Sequence, residues 1–115
     1  MAELNLDGMA IAPGVVETIV SLAAQSVNGV AYIGDAAASG IRNIIGGKPS
    51  TQGVEVDCDE NGKLHATVHL CAKSGQVLPD LANNVRQAVA DAISGQVGVE
   101  VGSVDLYIDN IQFDN

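Results

Sequence analysis

The chain begins with a segment in which apolar residues recur every three or four positions, the spacing of one face of a helix. These positions are Val16, Ile19, Val20, Ala23, Ala24 and Val27. Pro13 lies just before them, where the first turn of a helix tolerates proline, and Asn28-Gly29 follows as a C-terminal cap. The pattern predicts a first helix over about residues 14–27, followed by a short apolar strand at residues 30–33.

Strict alternation of apolar and polar residues then predicts a β-hairpin. The apolar positions are all even-numbered: Val54, Val56, Cys58, Leu64, Ala66, Val68, Leu70 and Ala72. A three-residue loop ending in Gly62 joins the two strands, so that the numbers of paired residues add up to 122. This register places Asp59 opposite Lys63 and Asp57 opposite His65, which brings opposite charges together across the strands.

A second helix and a last strand complete the pattern. Pro79-Asp80 marks the first turn of the helix and Ser94-Gly95 its end. Its apolar stripe consists of Leu78, Leu81, Val85, Ala88, Val89, Ala92 and Ile93. The last strand covers about residues 99–111. A strand-helix-strand unit of this kind predicts a right-handed crossover between two parallel strands.

These elements predict one α+β domain that includes all residues 1–115. We expect a two-layer sandwich, with two main helices on one face of a mixed three- to four-stranded sheet and a split β-α-β crossover. Residues 34–53 are less regular and predict a flexible connector, with a short helix that Asp35 caps and that extends to Ile45. The alternative is an apolar docking segment. Its basic residues, Arg42 and Lys48, are too few for a helix that lies on a membrane surface.

Composition narrows the function. The 115 residues include 14 acidic and 5 basic ones, a formal net charge of −9, and only 3% are aromatic. This charge repels phosphate and anionic lipid, and so few aromatic residues disfavour base stacking, so we expect no nucleic-acid partner. The N-terminus has no targeting pattern, and no apolar stretch approaches the roughly 18 residues of a membrane span. We therefore expect a cytoplasmic protein without direct membrane insertion.

The two cysteines, Cys58 and Cys71, are predicted to stay reduced. In the hairpin register Cys58 lies on the helix-covered face and Cys71 on the opposite face, more than about 20 Å apart, which is beyond the reach of a disulfide. We expect both thiols to fill small spaces in the packing. Asp57 and Asp59 flank Cys58 and oppose formation of a thiolate, which makes Cys58 a poor nucleophile.

The outer face of the hairpin brings together His65, His69 and Cys71. His69 and Cys71 are two positions apart on one strand and could chelate an ion, which leaves a metal protein or an enzyme as an alternative. Two ligands do not make a structural zinc site, however, and Gly46-Gly47-Lys48 lacks the spacing of a phosphate loop. We therefore predict no catalytic, cofactor-binding or metal-binding residue. With Tyr107, this face is expected to be an interaction surface.

Five motifs, in order along the chain, resemble the alkaline-shock, or envelope stress response, protein family of Gram-positive bacteria. Residues 75–89 are similar to its glycine-x-x-isoleucine-proline segment and the helix after it: GQVLPDLANNVRQAV. Residues 97–108 resemble its closing strand. Residues 11–19, 28–31 and 53–56 resemble its opening helix, the glycine-valine-alanine after that helix, and its glycine-valine-x-valine strand. Ser74 occupies the position of a usual tyrosine.

The resemblance implies a non-enzymatic cytoplasmic protein. Members of that family act in the cell-envelope response; some self-associate, and some are held at the membrane by a separate, membrane-anchored partner. The expectation for this chain is therefore a homo-oligomer that docks to a protein partner, without a cofactor. Other members are linked to control of fatty-acid synthesis, so a regulatory protein that modulates a metabolic enzyme is the alternative.

Overall fold

The computed structural model describes residues 4–6, 8–12, 14–34 and 53–113, which form two helices and two small sheets. The strands are β1 (Leu4–Leu6), β2 (Met9–Ile11), β3 (Val30–Ile33), β4 (Val54–Cys58), β5 (Leu64–Lys73) and β6 (Val101–Gln112). The helices are α1 (Val15–Gln25) and α2 (Leu78–Ala92), and a π-helical turn, Ile93–Val97, continues α2. The predicted short helix and connector fall on residues 35–52, which lie outside the described residues.

The main sheet is built around β5, which pairs with three other strands. β4 is antiparallel to β5 in the predicted register: Val54 pairs with Val68, Val56 with Ala66. β6 is parallel to β5, as the crossover through α2 predicts. The α+β fold with a mixed four-stranded sheet is thereby confirmed.

One edge of β5 is shared by two strands that lie end to end. β4 pairs with its first half and β3 with its second half. The backbone of His69 spans the junction: its N–H donates to the Gly53 carbonyl and its carbonyl accepts from the Gly34 N–H, both at 2.7 Å. A β-carbon on Gly53, whose φ is +91°, would lie 2.7 Å from the Gly34 α-carbon, so this junction requires glycine.

The core lies between the helices and the even-numbered face of β5. Leu64, Val68 and Leu70 of the strand are at most 1% exposed. The helices contribute one buried stripe each to the same cluster: Val16, Val20 and Ala24 of α1, and Leu81, Val85 and Val89 of α2. Apolar residues two positions apart on the strand share one face, as do apolar residues three or four positions apart on each helix. These faces pack against one another, which removes them from water.

The end of the second helix differs from the prediction. Ser94-Gly95 does not end it, because the backbone continues through the π-helical turn to Gly98, whose φ is +82°. The Gly98 N–H donates to the Ile93 carbonyl at 3.0 Å. Ile93 and Val97 are both buried, and their burial holds this wider turn against the core.

An N-terminal hairpin was absent from the sequence prediction. β1 and β2 pair antiparallel, with Leu6 opposite Met9, around a two-residue connection that contains Gly8 at φ +76°. An Asp-Gly pair, here between Leu4-Asn5-Leu6 and Met9-Ala10-Ile11, is a signal for such a turn. Among the helices of the described residues, none has the length and apolar character to cross a bilayer.

Candidate functional site

The candidate site is the face of the main sheet that points away from the helices, which we term the outer face. It consists of Asp59 and the odd-numbered side chains of β4, of β5 as far as His69, and of β6 from Ser103 to Asp109: Glu55, Asp57, Asp59, His65, Thr67, His69, Ser103, Asp105, Tyr107 and Asp109. All of these side chains are exposed or half-buried. The strand register sets them in rows, one of which is Asp57, His65 and Ser103.

One end of the outer face carries a chain of hydrogen bonds through an imidazole. His65 Nε2 lies 2.8 Å from Asp59 Oδ2, and His65 Nδ1 lies 2.7 Å from Ser103 Oγ. Because the carboxylate can only accept, Nε2 carries the proton and donates it. In the neutral ring Nδ1 is then the acceptor, and the Ser103 hydroxyl donates to it.

Asp59 is fixed by the hairpin turn in which it lies. Its second oxygen, Oδ1, accepts the backbone N–H of Asn61 at 2.8 Å and that of Lys63 at 3.0 Å. The hydrogen bond from His65, and after it the one from the Lys63 backbone, hold the pKa of Asp59 below its ordinary value. The carboxylate is therefore a charged, oriented acceptor for the imidazole.

Ser103 reaches His65 because β6 contains a β-bulge. Leu64 pairs with Val101 but His65 pairs with Ser103, so Gly102 is the extra residue. A β-carbon on Gly102 would lie 2.5 Å from Cε1 and 2.8 Å from Nε2 of His65. The imidazole thus occupies the space that a side chain on Gly102 would fill.

A second histidine site lies further along the same strands. His69 Nδ1 donates to Asp109 Oδ2 at 2.8 Å. The His69 ring is stacked on Tyr107, with ring centroids 4.7 Å apart and planes 10° from parallel. The Tyr107 side chain remains about half exposed, at 53%. Tyr107 is thus an aromatic surface residue that is held in one orientation by its stacking partner.

The electrostatic character of the outer face is acidic. Five carboxylates surround the two imidazoles: Glu55, Asp57, Asp59, Asp105 and Asp109. Lys63, beside the hairpin turn, forms an exposed ion pair with Glu100 at 3.8 Å. A face of this charge repels anions and attracts cationic groups of a ligand or partner.

The structure confirms one part of the cysteine prediction and contradicts another. Both thiols are free, as predicted, and Cys71 is buried, but Cys58 is exposed and fills no space in the packing. Cys58 is the last residue of β4, at the edge of the sheet, whereas its partner Leu64 on the central strand is covered. Across the described ranges, no three His, Cys, Asp or Glu side chains form a group suited to a metal ion.

The ion pairs also differ in part from those that the register suggests. Asp57 is opposite His65, as predicted, but the carboxylate that bonds His65 is Asp59. Ser103 was absent from the predicted outer face. Its position depends on the alignment of β6 with β5 and on the bulge at Gly102, which alternation along one strand does not define. The glycine at position 102, within an apolar-polar strand pattern, is the one local signal of a bulge.

The comparisons with known proteins agree with the resemblance in the sequence motifs. A profile of the alkaline shock protein 23 family, described as having a cell envelope-related function, matches residues 2–113. The uncharacterized protein YqhY of Bacillus subtilis (strain 168) is 28% identical over 112 residues, which cover 97% of this chain and 82% of that protein. No solved structure matches the chain significantly. Because the family profile covers nearly every residue, the chain belongs to the alkaline shock protein 23 family, with a cell envelope-related function.

Proposed function

We propose that this chain is an interaction protein of the cell-envelope stress response, whose role there is non-catalytic. It acts through self-association and by docking to a membrane-anchored protein partner. The family assignment supports the envelope context. The observation that carries docking is the outer face, where Tyr107 is half exposed and yet oriented by its stack on His69.

The outer face has the features of a partner-binding surface. Aromatic residues in the middle of a surface patch often provide much of the binding energy, because they bury a large area and lose little conformational freedom. The carboxylates around Tyr107 add long-range attraction for a basic partner. Docking is therefore expected to weaken with added salt and to depend on Tyr107.

Self-association is expected to use another surface. Two outer faces in contact would bring their carboxylates together, at a cost in like-charge repulsion. Helix α1 offers an apolar alternative: Val15 and Leu22 lie seven residues, or two turns, apart on one side and are 44% and 59% exposed. Contact through this stripe leaves the outer face of each copy accessible to a partner.

Two substitutions separate the two surfaces in the full-length chain. Leu22→Glu is expected to lower the sedimentation coefficient of the self-associated protein, whereas its control, Asn84→Glu on the exposed side of α2, leaves it unchanged. Tyr107→Ala is expected to reduce capture of a membrane-anchored protein from cross-linked cells at least tenfold. Its control, Gln87→Ala on the exposed side of α2, is expected to capture as much as the parent.

The outcomes distinguish this proposal from its alternative. Recovery of a membrane-anchored protein that depends on Tyr107 supports docking at the envelope. Recovery of subunits of a metabolic enzyme, such as one of fatty-acid synthesis, would instead favour a regulatory role. A partner that binds the Tyr107→Ala variant as strongly as the parent would remove the outer face from the proposal.

A further inference from the structure

The hydrogen-bond chain of Asp59, His65 and Ser103 has a chemical capacity that partner docking does not use. A carboxylate, an imidazole and a hydroxyl are joined in series at 2.8 and 2.7 Å. This is the order of groups that activates a serine for acyl transfer. We propose that Ser103 is a nucleophile that accepts the acyl group of small activated esters, with His65 as its general base.

The protonation states required for this chemistry follow from the hydrogen bonds. Asp59 is ionised and accepts from Nε2, so in the neutral ring Nδ1 is unprotonated and directed at the Ser103 hydroxyl. In most serine triads the carboxylate bonds Nδ1 and the serine bonds Nε2. The reversed use of the two nitrogens serves equally for proton transfer, because either nitrogen of a neutral imidazole can be the base.

The reaction balances without a further reagent except water. Ser103 Oγ forms a bond to the carbonyl carbon of the ester as its proton passes to His65 Nδ1. The bond from that carbon to the leaving oxygen breaks, and the leaving group takes the proton from the imidazole. The products are an acyl ester on Ser103 and a free alcohol or phenol. Water then attacks the acyl carbon as His65 Nδ1 accepts its proton. The bond from that carbon to Ser103 Oγ breaks, His65 returns the proton to Oγ, and the acid departs.

Accessibility and charge define the class of substrate. The side chains of His65 and Asp59 are 40% and 32% exposed, so a small ester can approach the imidazole from solvent. The carboxylates of the outer face repel anionic esters. Neutral or cationic esters are therefore the expected substrates, and p-nitrophenyl acetate, which is small and neutral, is a suitable probe.

The glycine at position 102 gives independent support for a built arrangement. Its φ does not require glycine, but a β-carbon would overlap the His65 ring. A mid-strand glycine weakens a strand, so this position gives up local stability to admit the imidazole beside Ser103. The bulge at Gly102 turns Ser103 toward that ring.

The test is acylation of the full-length chain by p-nitrophenyl acetate. We expect release of p-nitrophenolate together with one acetyl group per chain, located on Ser103 by peptide mass spectrometry. His65→Gln should slow acylation of Ser103 about 100-fold or more, since general-base assistance typically contributes that much. Ser103→Ala should abolish the label, whereas Ser26→Ala, which removes an exposed hydroxyl on another element, should not change it.

A separate measurement tests the positioning role of Asp59. Asp59→Asn is expected to slow acylation of Ser103 about 100-fold or more, because the amide can donate to Nε2 and leave the proton on Nδ1, which then cannot act as the base. A merely structural role would reduce the folded fraction, read by circular dichroism, and leave the rate per folded chain unchanged. Acetyl groups found only on lysines or the N-terminus would overturn the proposal, as would an unchanged rate in folded Ser103→Ala.

Discussion

The contact between Gly102 and His65 leads to a quantitative prediction for Gly102→Ala. The added methyl would lie 2.5 Å from His65 Cε1, so the ring has to move about 1 Å to reach an ordinary contact distance. Overpacking of this kind typically costs about 1–3 kcal/mol. Replacement of glycine also restricts the unfolded chain, which returns about 0.4–1 kcal/mol. The net expectation is a loss of about 1–2 kcal/mol in the free energy of unfolding.

Urea denaturation followed by far-ultraviolet circular dichroism measures this loss, since the chain has no tryptophan to report it. With an m-value of about 1–3 kcal/mol per molar urea, the midpoint should fall by roughly 0.3–2 M. Gly95→Ala is the matched control: its φ is not positive and its methyl would meet nothing within 4 Å. That variant is expected to equal or slightly exceed the parent in stability.

The double variant His65→Ala/Gly102→Ala tests the cause of the loss. Without the imidazole the methyl has room, so the cost of Gly102→Ala should nearly vanish in the His65→Ala background. The two substitutions would then show a coupling energy of about 1 kcal/mol or more. If they add to within about 0.3–0.5 kcal/mol, the His65 ring is not what excludes a side chain from position 102, and the reasoning fails.

Three further outcomes follow from the described contacts. Asp59→Asn should lower the free energy of unfolding at neutral pH, where the carboxylate is ionised. The difference in stability between variant and parent should shrink below about pH 4, because a lowered pKa stabilises the fold only while the group is charged. Urea melts at several pH values measure this. Gly75→Ala places alanine at positive φ and should lower the free energy of unfolding by about 1–2 kcal/mol. Gly53→Ala carries the same cost and about 1–3 kcal/mol more, because its methyl also meets the Gly34 backbone. Equal losses for the two variants in thermal melts would contradict this. A thiol reagent should modify Cys58 at once and Cys71 only in denaturant, and rapid modification of two thiols in the native protein would be the opposite result.

The sequence predicted those parts of the fold that depend on one element and its neighbour in the chain. Alternation in β4 and β5, with a short loop between them, fixes both the register and the faces. The crossover rule gave the parallel direction of β6. Burial at the sheet edge was not predictable in this way, and Cys58 is exposed although it lies on the apolar side of the alternation.

The candidate site was less predictable, because its atoms come from positions distant in the chain. The alternation pattern places His65 and His69 on the outer face. Their hydrogen-bond partners depend on the register of β6 against β5. The packing of α2 and the bulge at Gly102 together determine that register. Ser103 therefore lay outside the predicted face, and Asp59, expected opposite Lys63, emerged as the bonded partner of His65.

The junction at His69 has a consequence for how this domain can vary. The chain leaves the sheet at Gly34 and returns at Gly53, and one residue of β5 holds both points through its backbone. Because the two points are already adjacent, the sheet imposes no minimum span on the sequence that joins them. Each doubling of that sequence costs only about 0.6 kcal/mol in closure entropy. Insertions and deletions between these two points can therefore change the surface of the domain and leave its strands paired as before.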